Sequence, residues 1–140
     1  LFDLKVWRDV IFDEYHFSLT KGFPEKVDVP MVRVQTQSVL QDVLGIGEIG
    51  KKWSIRKSLQ KIADEGTGVF VLINHRDAKT YWLSNLKDEN IEPKRNRRVI
   101  GIGSQILRSL GLSRINVLGT PTKYSGLSGF NIEIEGFIDE

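Results

Sequence analysis

The sequence predicts an α/β fold with a mostly parallel sheet, and two observations carry that prediction. Short apolar or alternating runs, MVRVQTQSVL, GVFVLIN and INVLG, are separated by segments whose apolar residues recur at helical spacing. Glycines stand where those helical segments should end, at Gly66 and Gly111, as residues that close a helix in the left-handed conformation commonly do. Strands alternating with helices of this length point to βαβ units, whose strands run parallel.

The elements follow in order. LFDLKVWRDVIFDEYHFSLTKG begins with a strand-like piece, turns, and continues as HFSLTKG, a second strand. FPEKVDVP reads as a loop punctuated by Pro24 and Pro30, and MVRVQTQSVL alternates as a third strand. Ile55, Leu59, Ile62 and Ala63 share one helical face that closes at Gly66. GVFVLIN is a continuous apolar run between Gly68 and a polar loop, the pattern of a strand covered on both faces. DAKTYWLSNLKDENIEP has room for a helix that stops before Pro93. Ile102, Ile106, Leu107 and Leu110 then form a second apolar helical face, closed by Gly111. INVLG is the next strand, and GFNIEIEGF ends the chain with Ile132 and Ile134 alternating.

At 140 residues the chain is one domain's worth, spanning residues 1–140, with enough sequence to bury a core. It begins with Leu1 rather than Met, so it is expected to be the C-terminal part of a longer chain. No signal-peptide pattern opens it, and GVFVLI is too short to span a membrane, so a cytoplasmic protein without a membrane partner is expected. Twenty basic residues against eighteen acidic ones leave a net charge of +2, which argues against nucleic acid as a partner. There is no cysteine, which excludes disulfides, thiolate catalysis and cysteine-ligated metal within the chain. The two histidines, His16 and His75, have no metal-binding spacing, and His16 sits in a strand-like run where a structural role is expected.

LGIGEIGKKWSIRKSLQKIADEG places Gly45, Gly47 and Gly50 in a literal G-x-G-x-x-G. A strand pattern precedes it, and a helix and a second strand ending near Asp77 follow. That is the layout of a dinucleotide site, in which glycines bring backbone N–H groups to a pyrophosphate at a helix N-terminus. The same letters serve as a plain turn between strand and helix, and a lone match of this kind is weak.

KSLQKIADEGTGVFVL and IGIGSQILRSLGLSRINVLGTP, followed by LSGFNIEIE, resemble GTP cyclohydrolase II, the first committed enzyme of riboflavin biosynthesis. The likeness covers nearly the whole chain from the second strand onward, and from Arg33 to Ile62 it runs without a gap. The resemblance implies a three-layer α/β sandwich that works as a homodimer. It also implies a chemistry in which zinc-bound water opens the imidazole ring of guanine, releasing formate and pyrophosphate. The family's three zinc-ligating cysteines fall on Ser38, Ile49 and Lys51. None can replace a thiolate, so no zinc and no other cofactor is expected. On this likeness GIGEIG is the former metal loop, refilled after its ligands were lost, rather than a dinucleotide fingerprint.

Other positions depart from the family as well. Where it carries an Arg-Gln-Glu-Gly-Arg loop, this chain reads NHRDA from Asn74 to Ala78. The family's Asp two residues before an α-phosphate arginine becomes Asn96, with Arg98 retained. An amide there cannot take a proton as the carboxylate would. The family's Thr-Asn-Asn-Pro turn corresponds to Leu118, Gly119, Thr120 and Pro121, with Lys123 as a further anion contact. No confident catalytic residue remains: Asn96 and Arg98 are relic positions, and Arg98, Thr120 and Lys123 are the candidate contacts to phosphate or a purine nucleotide. KRNRR, from Lys94 to Arg98, is the densest basic run, and Lys51 and Lys52 are expected near it. Trp7, Trp53 and Trp82 lie outside the clearest core faces; they are candidate dimer or pocket-covering residues, with ordinary partial burial the more common explanation.

Domains of this kind are commonly fused behind a 3,4-dihydroxy-2-butanone 4-phosphate synthase. Two readings follow from the likeness. In the first, the chain is a degenerate, non-catalytic module that dimerises with or regulates such a synthase. In the second, it is a purine-nucleotide-binding enzyme or sensor that keeps a phosphate pocket around Arg98.

Overall fold

The computed structural model of the chain describes residues 1–37, 43–44, 53–74, 93–119 and 131–139, and for residues 93–97 the backbone alone. The strands are β1 (Asp3–Asp9), β2 (Glu14–Lys21), β3 (Met31–Thr36), β4 (Gly68–Ile73), β5 (Arg114–Leu118) and β6 (Glu133–Ile138). Helix α1 spans Ile55–Glu65 and helix α2 spans Pro93–Ser109. One mixed sheet orders the strands β1-β2-β4-β3-β5-β6. The four strands from β4 to β6 in that order run parallel to one another, and β1 and β2 add an antiparallel hairpin.

The two helices lie on opposite faces of the sheet for a topological reason. From β3 the chain crosses through α1 to β4 on one side; from β4 it crosses through α2 to β5 on the other side of β3. Parallel crossovers are right-handed, so reversing the lateral direction moves the helix to the other face. α2 places Ile106 and Leu107, with Ile102 and Leu110, against Val32, Val69, Val71, Ile73 and Ile115. α1 places Ile62, Ile55 and Leu59 against Met31, Phe70, Leu72 and Leu118. Every side chain of β4 but Leu72 is buried, as its unbroken apolar run requires.

Ala63 departs from the expected α1 face: it is exposed, and Ser58 is buried instead. Ser54 caps the helix by accepting from the Lys57 N–H, and the Ser58 hydroxyl bonds back to the Ser54 carbonyl at 2.7 Å, which satisfies it inside the packing. Two of the three tryptophans are among the described residues. Trp53 is 8% exposed and belongs to the α1-side core, with its indole N–H donating to the Ile138 carbonyl at 3.0 Å. Trp7 packs half-buried against the α2-side core. Both therefore serve the interior, while Trp82 lies outside the described residues. So do Gly45, Gly47, Gly50 and Asp77 of the glycine-rich motif, and the candidate helix before Pro93.

Two glycines around the α1–β4 turn fill different needs. Gly66 takes φ +84 and donates to the Ile62 carbonyl at 3.0 Å, closing the helix, and a Cβ there would meet open space. Gly68 takes φ +153, and a Cβ there would lie 2.9 Å from the Met31 carbonyl oxygen and 3.0 Å from Ile62 Cγ2. Alanine at Gly66 should cost about 1–2 kcal/mol, the left-handed penalty alone. Alanine at Gly68 should cost clearly more, because strand and helix must also separate. Urea unfolding of the two variants checks this, and equal midpoints would show that the β4 start yields without strain.

Candidate functional site

β3 and β4 are neighbours whose onward connections lead to opposite faces, so the sheet has its topological switch point at their carboxyl ends. Ligands of open α/β sheets sit in the crevice outside such a point. Gln37 follows β3 and donates its N–H to the Ile73 carbonyl at 2.8 Å, while Asn74 follows β4. Ser38, Ile49, Lys51 and Lys52 fall in sequence between β3 and α1, His75 to Ala78 follow β4, and Thr120 and Lys123 follow β5. All of these lie outside the described residues. For Asn96 the structure gives only its place as the fourth residue of α2, at the end of its first turn.

Arg98 is described, and its surroundings begin in the β1–β2 hairpin. The Asp9 carboxylate accepts from the Ile11 N–H at 3.0 Å and the Phe12 N–H at 3.3 Å, holding the turn as a short polar side chain can. Asp13 takes the left-handed φ of 52 and pairs with Arg8 at 3.0 Å, which brings the chain back as β2. The turn sets Phe12 against α2, with the Arg98 guanidinium over its ring at 3.5 Å. Arg98 Nη2 donates to Glu14 Oε1 at 2.5 Å. The Glu14 side chain is 3% exposed and that of Arg98 22%, so the carboxylate lies beneath and the guanidinium reaches toward solvent.

Glu14 has company along β2. Glu14, His16 and Ser18 alternate on one strand face, and all three are buried. Ser18 Oγ accepts from the Trp7 indole at 2.8 Å. His16 Nδ1 accepts from the Asn74 N–H at 3.0 Å, which assigns the proton of the neutral ring to Nε2. That nitrogen stands 4.0 Å from Glu14 Oε2. The structural role expected of His16 is therefore visible: it fastens β2 to the first residue beyond β4.

A second guanidinium works on the other face. Arg33 donates to the Leu118 carbonyl at 2.9 Å and the Trp53 carbonyl at 3.2 Å, with Gln35 Oε1 at 3.4 Å. It ties the middle of β3 to the end of β5 and to Trp53, just before the α1 cap. Sequence reading missed both Glu14 and Arg33. Alternation puts each on the polar, nominally solvent-facing side of its strand, EYHFSL and MVRVQT, and so gave no signal of its inward role. Among the described residues no group of three or more His, Cys, Asp or Glu is placed to hold a metal ion, and no helix is long and apolar enough to cross a membrane.

A three-layer α/β domain with its switch point between β3 and β4, and a buried arginine–carboxylate pair beside it, is the class these features define. A profile of the GTP cyclohydrolase II family matches residues 1–139, and the chain belongs to that family. It is 29% identical to a 3,4-dihydroxy-2-butanone 4-phosphate synthase of Pseudomonas aeruginosa, over 98% of this chain and 39% of that protein. A protein of the same name from Neisseria meningitidis serogroup B is 31% identical over 97% of this chain and 38% of its own length. The riboflavin biosynthesis protein RibBA of Cytophaga hutchinsonii is 31% identical over 95% of this chain and 36% of its own length. The chain thus spans well under half the length of these relatives.

The two members of the buried pair should respond unequally to mutation. Arg98→Ala leaves the Glu14 charge buried and uncompensated and should cost about 3–5 kcal/mol. Glu14→Gln leaves a guanidinium that water can reach, and should cost about 1–3 kcal/mol. Denaturant unfolding gives both numbers; a larger loss for Glu14→Gln would contradict the burial asymmetry.

Proposed function

We propose that this chain is a GTP cyclohydrolase II domain that no longer opens the guanine ring and serves as a dimerisation or regulatory module of a 3,4-dihydroxy-2-butanone 4-phosphate synthase. One observation carries this: the chain contains no cysteine, whereas the resemblance puts all three zinc thiolates at Ser38, Ile49 and Lys51. A hydroxyl, an alkyl group and an ammonium do not make a zinc site, since the metal needs deprotonated sulfur, imidazole or carboxylate donors. The donor set does not fit the metal.

Two further observations support the reading. Asn96 replaces the carboxylate that would move a proton beside Arg98. Arg98 itself is engaged by Glu14, so a nucleotide phosphate would have to compete with a buried carboxylate. The names and lengths of the relatives support the partner domain, whose lyase chemistry would lie outside these residues. In the second reading, a nucleotide sensor built on Arg98, Thr120 and Lys123, that competition is the step at which binding would be decided.

The surface for dimerisation moves from the tryptophans to the hairpin. Leu4 and Val6 are each 57% exposed and share a sheet face with Tyr15, which is 48% exposed. An apolar strip of this kind on an edge hairpin is costly to leave in water.

Incubation of the purified chain with GTP and zinc should release no formate above a protein-free control. Formate in proportion to protein would overturn the non-catalytic reading. Light scattering should give twice the chain mass, and Leu4→Glu with Val6→Lys should return it to the monomer while circular dichroism stays unchanged. A parent protein already monomeric at high concentration would remove dimerisation from the proposal.

A further inference from the structure

We infer that the cleft at the amino ends of β3 and β5 binds a free basic amino acid of the lysine type, seating its carboxylate on Arg114, its α-ammonium on Asp28 and its side-chain ammonium on Glu25. This goes beyond the proposed function and does not depend on it, because the cleft lies at the pole of the sheet opposite the switch point. Its volume is about 520 Å³, within the usual range for small-molecule sites. One wall is the segment before β3, with Glu25, Lys26 and Asp28; the other is the turn from α2 into β5, ending at Arg114. Pro30 and Leu112, both buried, give it an apolar lining. Main-chain bonds fasten both walls: the Pro30 carbonyl accepts from the Asn116 N–H at 2.9 Å, and the Leu112 N–H donates to the Leu107 carbonyl at 3.0 Å. A Cβ at Gly111 would lie 3.3 Å from Glu25 Cβ, so the walls meet there. A cleft built this way needs little ordering when it binds.

The charges select the ligand. Arg114 Nε donates to Glu135 Oε1 at 2.9 Å, and its terminal nitrogens make no hydrogen bond among the described residues. Nη1 stands 3.8 Å from Asp28 Oδ1, an ion pair beyond hydrogen-bond reach, and the Asp28 side chain is 96% exposed. The end of the guanidinium fork is therefore open to a carboxylate. Asp28 is near enough to the same point to take an ammonium on the adjoining carbon. Glu25 forms no ion pair among the described residues and touches Gly111, three residues before Arg114. Three residues of chain span at most about 10 Å, a distance that a lysine-length side chain bridges with its methylenes over Pro30 and Leu112. Lys26 is the cation left on the rim, and its ammonium is held over the Phe23 ring at 5.0 Å. Two cations and two carboxylates in one cleft give a simple anion or a simple cation no net attraction. A molecule that carries both signs complements both.

The test is an amide NMR titration of the purified, isotope-labelled chain with L-lysine at low ionic strength. The amides of Glu25, Asp28, Ser113 and Arg114 should shift saturably, with a Kd tighter than about 10 mM. Norleucine, which lacks the side-chain ammonium, and cadaverine, which lacks the carboxylate, should each bind at least about three-fold more weakly. Arg114→Gln should weaken lysine binding at least about ten-fold, and Glu25→Gln at least about three-fold. Should Arg114→Gln fail to fold by circular dichroism, Asp28→Asn is the second variant. It alters a side chain that stands in solvent, and it must weaken lysine at least about three-fold. No saturable shift, shifts confined to other residues, variants that bind like the wild type, or controls that bind as tightly as lysine would each overturn the inference. Nα-acetyl-lysine binding as tightly as lysine would overturn it too, since a peptide's last residue would then fit as well as a free amino acid. Formate release and light scattering report on the proposed function, so the two can fail independently.

Discussion

The described structure around the switch point depends on a row of polar side chains turned inward from β2. Glu14, His16 and Ser18 face the α2 side of the sheet, and each accepts a hydrogen bond from a different element: Arg98 from α2, the Asn74 N–H beyond β4, and the Trp7 indole from β1. Burying three polar groups without partners would cost several kcal/mol in all, so helix, strand end and edge strand must meet β2 in one arrangement only. An apolar row at the same positions would tolerate sliding. The polar row specifies register and helix placement together.

This row also explains how far the sequence could be read. The alternation and closing glycines made α1, β4, α2 and β5 legible, and Ile102, Ile106, Leu107 and Leu110 all meet the core they were expected to form. In β2 the same alternation misleads. EYHFSL has its polar residues at alternate positions, which ordinarily marks a solvent face, yet those are the buried ones, and Tyr15 on the opposite face is exposed. Nothing in a single sequence tells an inward polar row from an outward one, because the difference lies in partners 58 and 84 residues away along the chain. The depth of Trp53 was hidden for a related reason. Trp53 is core because its indole reaches a carbonyl at the end of β6, a contact that no local pattern announces.

Of the candidate site, the sequence indicated Arg98 and the region around it, and the structure adds what Arg98 touches. The family resemblance led to the expectation of a guanidinium that faces an anion; in the described structure Arg98 meets a carboxylate from β2. Arg33 completes the picture from the opposite face, holding two backbone segments by their carbonyls. Two arginines near one pole of the sheet are thus occupied by the protein's own oxygen atoms, one by a carboxylate and one by the main chain.

The engagement of Arg98 bears on how lineages with decayed active sites are to be read. A residue that leaves a deep carboxylate stranded when lost is held in place by folding, whatever becomes of the chemistry around it. Cysteines whose only task was to grip a metal carry no such second duty and are free to drift once the metal is dispensable. Selection on the fold alone would then leave a mosaic, with an arginine surviving among erased ligands. An arginine clasped by a buried acid testifies to the architecture of the domain, whatever ligands it meets.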